Sequence, residues 1–374
     1  MGGFECSTHR DGRGRRLDLI ASTRHDEFAE ADYSRLIDLN IRTCRDGLRW
    51  HLIEPEPFRY DFSSLEKQIA GARATGIEIV WDYFHYGYPD DIDLFSEAFV
   101  ERFAHFCRAT TEYLTAELGP QLFVCPVNEI SFFSWIAGHV GNFYPCAKRR
   151  GGVLKRQLVR AALAGIQAIR SVVPDARVMI TDPAIHVVSR SRSASTRRAA
   201  ENYRLSQFEA FDMLAGRKEP ELGGYVKAVD IIGLNYYFHN QWHFPSRRKI
   251  PRGHEVYRPL ADILREFYFR YHKPIVMAET GIEDDERAEW FRYVCEQVTQ
   301  ARSNRVSVNG ICLYPIVNHP GWADDRHCHN GLWDYADDEG RREIYAPLAS
   351  EIRRQNDLLT PVSTTELSKI NEKK

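Results

Sequence analysis

Residues 121–129 read QLFVCPVNE and residues 274–281 read PIVMAETG. Each is an apolar run of strand length with a glutamate at its carboxyl end, Glu129 in the first and Glu279 in the second. Working outward, six further runs have the same apolar form: residues 2–8, 43–50, 77–83 (IEIVWDY), 177–181 (RVMIT), 229–236 (VDIIGLNY) and 310–316 (GICLYPI). Amphipathic stretches lie between them. Residues 29–39 read as a helix with Tyr33, Leu36, Ile37 and Leu39 toward the core; residues 63–74 read as another, with Ser63 as N-cap and Gly76 closing it. Residues 97–118, ending at Gly119-Pro120, and 155–172 are two more. Short apolar runs alternating with longer amphipathic ones predict repeated βα units on a parallel sheet. Eight such units in 374 residues, with no break in composition, predict an α/β fold that is a single (β/α)8 TIM barrel over residues 1–357. Residues 358–374 are mostly polar and read as a disordered C-terminal tail.

Composition narrows the class of function. The 50 basic and 52 acidic residues nearly cancel, to a formal charge of −2, so no electrostatic argument points to nucleic acid or to an anionic membrane surface. No apolar run approaches the ~18 residues a membrane span needs. The first residues lack a basic segment followed by an apolar one, so no secretory signal is read, and the eight cysteines are scattered without a CxxC pair. Reduced thiols and a cytoplasmic location are expected. The basic, Ser-rich residues 189–198 (SRSRSASTRR) read as a solvated loop between barrel elements.

In a (β/α)8 barrel, chemistry sits where the strands' carboxyl ends open into loops. Glu129 after the fourth strand and Glu279 after the seventh can face one another across that mouth. A carboxyl emerging from apolar surroundings costs several kcal/mol unless it is paired or used. Two opposed carboxyls are the requirement of glycoside hydrolysis, one protonating the leaving oxygen and the other meeting the anomeric carbon. A gap of ~5–5.5 Å predicts retention through a covalent intermediate.

On these residues the chain resembles family 1 glycoside hydrolases, in the larger clan of retaining barrels. Pro126-Val127-Asn128-Glu129 is similar to the family's Asn-Glu-Pro acid/base motif, and Ala278-Glu279-Thr280-Gly281 to its Glu-Asn-Gly nucleophile motif. Ile232-Gly233-Leu234-Asn235-Tyr236-Tyr237 resembles the sixth-strand motif, residues 45–50 the second-strand motif, His85-Tyr86-Gly87-Tyr88-Pro89 the third-strand His-Trp-Asp-Leu-Pro motif, and residues 141–145 a loop ending in Ala-Pro-Gly. The resemblance implies an exo-acting β-glycosidase on a small-molecule glycoside or oligosaccharide, without a cofactor or metal. It implies Glu129 as acid/base and Glu279 as nucleophile, carrying the covalent glycosyl-enzyme. Tyr237 and Arg45 are implied to contact that nucleophile, with Arg49, of the same strand parity, as the fallback. His85 is implied to hydrogen-bond the sugar. Asn128 is expected to donate to the sugar 2-hydroxyl, and Asn235 is placed among the substrate contacts.

Departures are equally informative. Ile130 stands where the family has proline, and Thr280 where it has asparagine. After the eighth strand the family carries Asn-Phe-Glu-Trp, whose glutamate grips outer sugar hydroxyls; this chain reads Asn318-His319-Pro320-Gly321-Trp322. Trp322 remains, as a stacking platform beside the weaker Trp135. Lost hydrogen bonds to hydroxyls cost about 1–3 kcal/mol each, so plain β-glucosides are expected to be poor substrates. Asn318 and Arg326 are expected to contact substrate in place of the glutamate. The first strand lacks the family's glutamine and offers Glu5 and His9 on one face instead.

Two other classes remain at this point. The loop with Asp324, Asp325, His327 and His329 carries potential ligands for a metal-dependent TIM-barrel hydrolase, although its His-x-His follows the eighth strand rather than the first. A non-catalytic sugar-binding barrel is the other; the presence of both glutamates argues against it, since loss of one is the simplest way to abolish turnover while keeping binding.

Overall fold

The computed structural model describes residues 1–359. Eight parallel strands close into a barrel in chain order: β1 Gly2–Gly3, β2 Thr43–Gly47, β3 Glu78–Asp82, β4 Phe123–Cys125, β5 Arg177–Pro183, β6 Ile231–Asn235, β7 Ile275–Thr280 and β8 Val308–Leu313. Among the described residues, eight helices of ten or more residues alternate with them: α1 His25–Asp38, α2 Glu66–Thr75, α3 Glu97–Leu118, α4 Gly151–Val172, α5 Ala194–Leu205, α6 Leu260–Tyr271, α7 Arg287–Ser303 and α8 Ala346–Leu359. This is a single (β/α)8 barrel. No helix among the described residues is long and apolar enough to cross a membrane. Of the expected tail, residue 358 belongs to α8, and residues 360–374 lie outside the described residues.

Strand parity divides the apolar residues into two sets. Outward residues such as Val124, Val178, Ile180, Ile232 and Leu234 pack against the helices in the main core. Inward residues Val80, Met179, Val276 and Ala278 form a small separate cluster that fills the barrel's lower interior. Above it the inward positions turn polar: Arg45, Asp82, Thr181 and Asn235 are all buried. On β2 the alternation places consecutive residues in different environments. Arg45 points into the barrel, and Asp46 points out to α1, where it meets His25 Nε2 at 2.9 Å.

The strands depart from the expected bounds for identifiable reasons. β1 stops at Gly3 rather than residue 8, because the Ser7 N–H turns to the Glu5 carboxylate and the Thr8 N–H to the His85 carbonyl. A Cβ at Gly3 would lie 2.2 Å from the Tyr314 ring, so the barrel closes only around a glycine here. β2 ends at Gly47, and the chain enters the short helix Trp50–Ile53. β4 ends before Pro126, which has no N–H to continue the ladder. β7 runs farther than expected and includes Glu279. Its register against β6 advances two residues, Met277 to Glu279, while β6 advances one, Leu234 to Asn235. That extra residue is a β-bulge, which re-aims the side chain after it.

Helix starts also moved. Ser63 does not cap a helix; its own N–H is accepted by Asp61 at 2.9 Å, and a 3-10 turn, Ser63–Leu65, precedes α2. α1 and α4 begin four residues before their expected starts. The Ser-rich patch is not wholly a loop: Ser193 caps α5, accepting from the Thr196 N–H, and the patch's last residues form that helix's first turn.

Candidate active site

A cavity of about 1210 Å3 opens at the carboxyl ends of the strands, and Glu129 and Glu279 both line it. Glu279 is fixed by the bulge and by Arg45. The guanidinium donates to the Ala278 carbonyl at 2.8 Å, to Glu279 Oε1 at 3.0 Å, to Asp82 Oδ2 at 2.6 Å and to Asn128 Oδ1 at 3.1 Å. Tyr237 donates its O–H to the other oxygen of Glu279 at 2.9 Å. Arg45 is fully buried, so breaking this array would leave uncompensated charge, at a cost of about 3–5 kcal/mol.

Glu129 stands in a left-handed conformation, φ 49°, between the end of β4 and the helix Ile130–Trp135. Its N–H donates to the Thr181 carbonyl at 3.0 Å, which ties it to β5. Tyr86 donates to its Oε2, and Asn235 Nδ2 to its Oε1 at 2.9 Å. Asn235 is also the register partner of Glu279.

The two carboxyls sit in unequal environments. Burial, then the nearby Glu279, push Glu129 up to about 8 despite the donors Tyr86 and Asn235. Burial also leaves Glu279 raised above the usual carboxylate range, although the Arg45 guanidinium pulls in the opposite direction. Asp82, too, is opposed by burial, yet Arg45 and His85 hold it below the usual carboxylate range. This arrangement favours the proton on Glu129, which has no cation beside it, over Glu279, which has Arg45.

The other sequence-predicted residues divide between the cavity wall and the layer behind it. Glu5, His85, Trp322 and Arg326 line the cavity. Glu5 adds a further carboxyl group there, and Trp322 meets Phe132 and Phe143 through ring contacts. His85 is largely engaged below: Nδ1 lies 3.1 Å from Asp82 Oδ2 and Nε2 3.1 Å from Asn128 Nδ2. Arg326 is held by both oxygens of Glu283, at 2.7 and 2.6 Å, on the rim.

Four assignments change. Asn128 does not face the cavity. Its amide is used by Arg45, Thr181, His85 and Tyr86, so it holds neighbours in place instead of donating to a sugar. Asn318 is turned away, pinning its loop through Asp334 at 3.1 Å and the Gly331 N–H at 2.7 Å. His9 stacks on Phe143 at 3.7 Å behind the wall, and burial lowers it to about 3, so it is a neutral packing ring. Arg49, the fallback for Arg45, pairs with Asp26 at 2.7 Å, outside the site.

Tyr86, Asp82 and Asp182 were not foreseen. Tyr86 lies inside the motif that singled out His85, and Asp82 is a charge at the end of an apolar strand, so both left a signal. Asp182 accepts the Ser131 N–H at 3.0 Å beneath the helix that follows Glu129, and burial raises it to about 6; only the β4–β5 contact reveals it.

Two groups of potential metal ligands converge among the described residues. In the suspected loop the ligand atoms that converge belong to His327, His329 and Asp334, not to Asp324. His327 Nε2 is already 2.6 Å from Asp334 Oδ1, and Cys328 between the histidines is the residue that lines the cavity. Alternation along the strand therefore points both imidazoles away from Glu129 and Glu279. A second convergence, Cys6, Asp82 and His85, is buried beneath the site and occupied by Arg45.

No protein-family model matches the chain, and no curated protein sequence matches it. Solved structures do share its fold. A family 1 β-glucosidase from Thermotoga maritima is 15% identical with a TM-score of 0.74, over 89% of this chain and 87% of that one. The β-glucosidase of the same organism in complex with glucoimidazole gives 16% and 0.74, over 90% and 87%. The virulence factor SghA, in complex with its substrate analog salicin, gives 19% and 0.75, over 89% and 86%.

Proposed function

We propose that this chain is a retaining glycoside hydrolase, exo-acting and β-glycosidase-like, which cleaves a small glycoside or oligosaccharide by double displacement through Glu279. The observation that carries the reading is the unequal pair: a buried Glu129 raised to about 8, opposite a Glu279 held by Arg45 and Tyr237. The neighbours of like fold, β-glucosidases among them, support it.

In the first step a Glu279 oxygen bonds to the anomeric carbon as the bond to the leaving oxygen breaks, and Glu129 passes its proton to that oxygen. The guanidinium of Arg45 and the O–H of Tyr237 favour the ionised form of Glu279 and aim it. Once the glycosyl ester forms, Glu279 no longer carries charge, and Glu129 has lost its proton. Glu129 then takes a proton from water as the water oxygen attacks the same carbon, and Glu279 leaves as carboxylate. Two inversions give net retention. Glu129 hydrogen-bonds Asn235, the register partner of Glu279, so the two carboxyls serve adjoining positions at the barrel mouth; a carboxyl gap of ~5–5.5 Å is what this reading expects of a retaining pair.

Glu279→Ala tests it. Hydrolysis of a 4-nitrophenyl glycoside should fall on the order of a thousandfold or more, about 4 kcal/mol of transition-state stabilisation. Azide should restore turnover and give a glycosyl azide of inverted configuration. Activity of the variant near that of the unaltered protein would remove Glu279 from the mechanism.

A further inference from the structure

If Glu129 is the acid, the leaving group must lie on its side of the barrel, over the loops that follow β4, β5 and β6. That side is built from flat rings. Phe132 and Trp135 line the cavity from the helix that begins beside Glu129, with ring centroids 6.1 Å apart. Trp242 and Phe238 line it from the β6 side.

Its charge is not balanced. Lys155 and Lys218 share the single carboxylate of Glu209, and Arg156 pairs with Glu219. Arg247 and Lys249 line the same cavity, and among the described residues neither has a carboxylate within ion-pair distance. Each is placed on an aromatic face instead: the Arg247 guanidinium 5.3 Å from the centre of the Trp135 ring, and the Lys249 ammonium 4.3 Å from that of Phe238. Lys249 is fixed by strand register opposite Trp242, and Arg247 occupies a left-handed turn position, φ 58°, just before it. On the facing side, from the loops after β7, β8 and β1, carboxylates predominate: Glu5, Glu283 and Asp324 against Arg326 alone. Two free cations on an open surface would say little. Here they stand over the rings of a cavity whose opposite wall is acidic.

We propose that the leaving group is an aromatic aglycone bearing a negative charge, its ring held among Trp135, Phe132 and Phe238 and its anionic substituent met by Arg247 and Lys249. The inference rests on the hydrolase reading and adds the substrate class to it. An anionic sugar is the weaker alternative, because the cation on the Glu279 side, Arg326, is already bound by both oxygens of Glu283. A neutral phenol would gain the stacking and leave both cations unmatched.

The test compares β-glycosides of 4-hydroxybenzoate and of its methyl ester, on the glycone that a 4-nitrophenyl panel identifies as fastest. Exposed ion pairs contribute modestly, so two together should favour the carboxylate about tenfold in kcat/KM at low salt. The preference should shrink severalfold near 1 M salt, where charges are screened within about 3 Å. The Arg247→Gln/Lys249→Gln double variant should bring the ratio of the two substrates close to one. Calorimetric titration with free 4-hydroxybenzoate and its ester should show the same order without turnover. Equal handling of acid and ester in rate and binding, or a ratio that survives the double substitution, would overturn the proposal. If no glycoside turns over while carboxylate binding still depends on Arg247 and Lys249, the hydrolase reading fails and the anion site stands.

Discussion

Replacing Tyr86 by phenylalanine removes one hydroxyl from the environment of Glu129 and leaves the ring. The ring can stay stacked on Phe133, 5.4 Å away at 9°, and Asn128 Nδ2 keeps its other partner, His85 Nε2. What disappears is the O–H donated to Glu129 Oε2. That bond favours the ionised carboxylate, and burial and Glu279 oppose ionisation, the balance lying at about 8. A hydrogen bond to a charged group contributes about 1.5–3 kcal/mol, and one pKa unit corresponds to about 1.4 kcal/mol. The loss should therefore raise Glu129 by about one to two units. Leaving-group protonation needs the acid form, so the alkaline limb of kcat/KM against pH reports this group. It should fall near pH 8 in the unaltered protein and move upward in Tyr86→Phe, with the acidic limb, set by Glu279, nearly still. The assay is a pH–rate profile on a phenyl glycoside, whose poor leaving group makes proton transfer count. A limb that stays in place, or moves to lower pH, would refute the assignment of Tyr86 as the donor that tunes the acid.

Glu129→Gln should slow phenyl glycosides far more than 2,4-dinitrophenyl glycosides, because only the former need the proton; equal slowing in steady-state kinetics would contradict the acid role. The buried His25 gives a stability prediction. Burial alone would lower its pKa, but Asp46 and Asp32 outweigh burial and hold it at about 9, above the usual 6.5. Its contribution is thus fully present below about pH 6.5 and lost as pH rises through 9, on the order of 3 kcal/mol. Urea unfolding at pH 6.5 and pH 10 should show that loss, and His25→Gln should flatten it; a midpoint independent of pH would rule it out.

The barrel was legible because eight apolar runs and their amphipathic partners survive every ambiguity of boundary. So was the location of the glutamates, since an acidic residue at the end of an apolar run has few places to go. What failed was side-chain direction. Asn128, Asn318 and His9 were placed in the right neighbourhood and face the wrong way, because loop residues have no period that fixes their orientation. Glu279 itself owes its aim to a bulge at Ala278 that no pattern of residues announces. Tyr86 and Asp182 matter only through partners on the segment that follows β4, and Arg247 reaches Trp135 from a hairpin more than a hundred residues away. Those contacts are properties of the closed barrel, not of any local stretch.

Arg45 and Asp46 share a peptide plane. One anchors Glu279 inside the barrel; the other fastens β2 to α1 through His25 and Tyr33 outside it. A displacement of β2 large enough to loosen the outer clasp would carry the guanidinium with it, because the two side chains project from adjacent residues of one strand. Catalytic competence and the seating of the first helix should accordingly be lost together on the alkaline side, so that a fall in activity above pH 9 can report a loosening scaffold as much as a deprotonated acid.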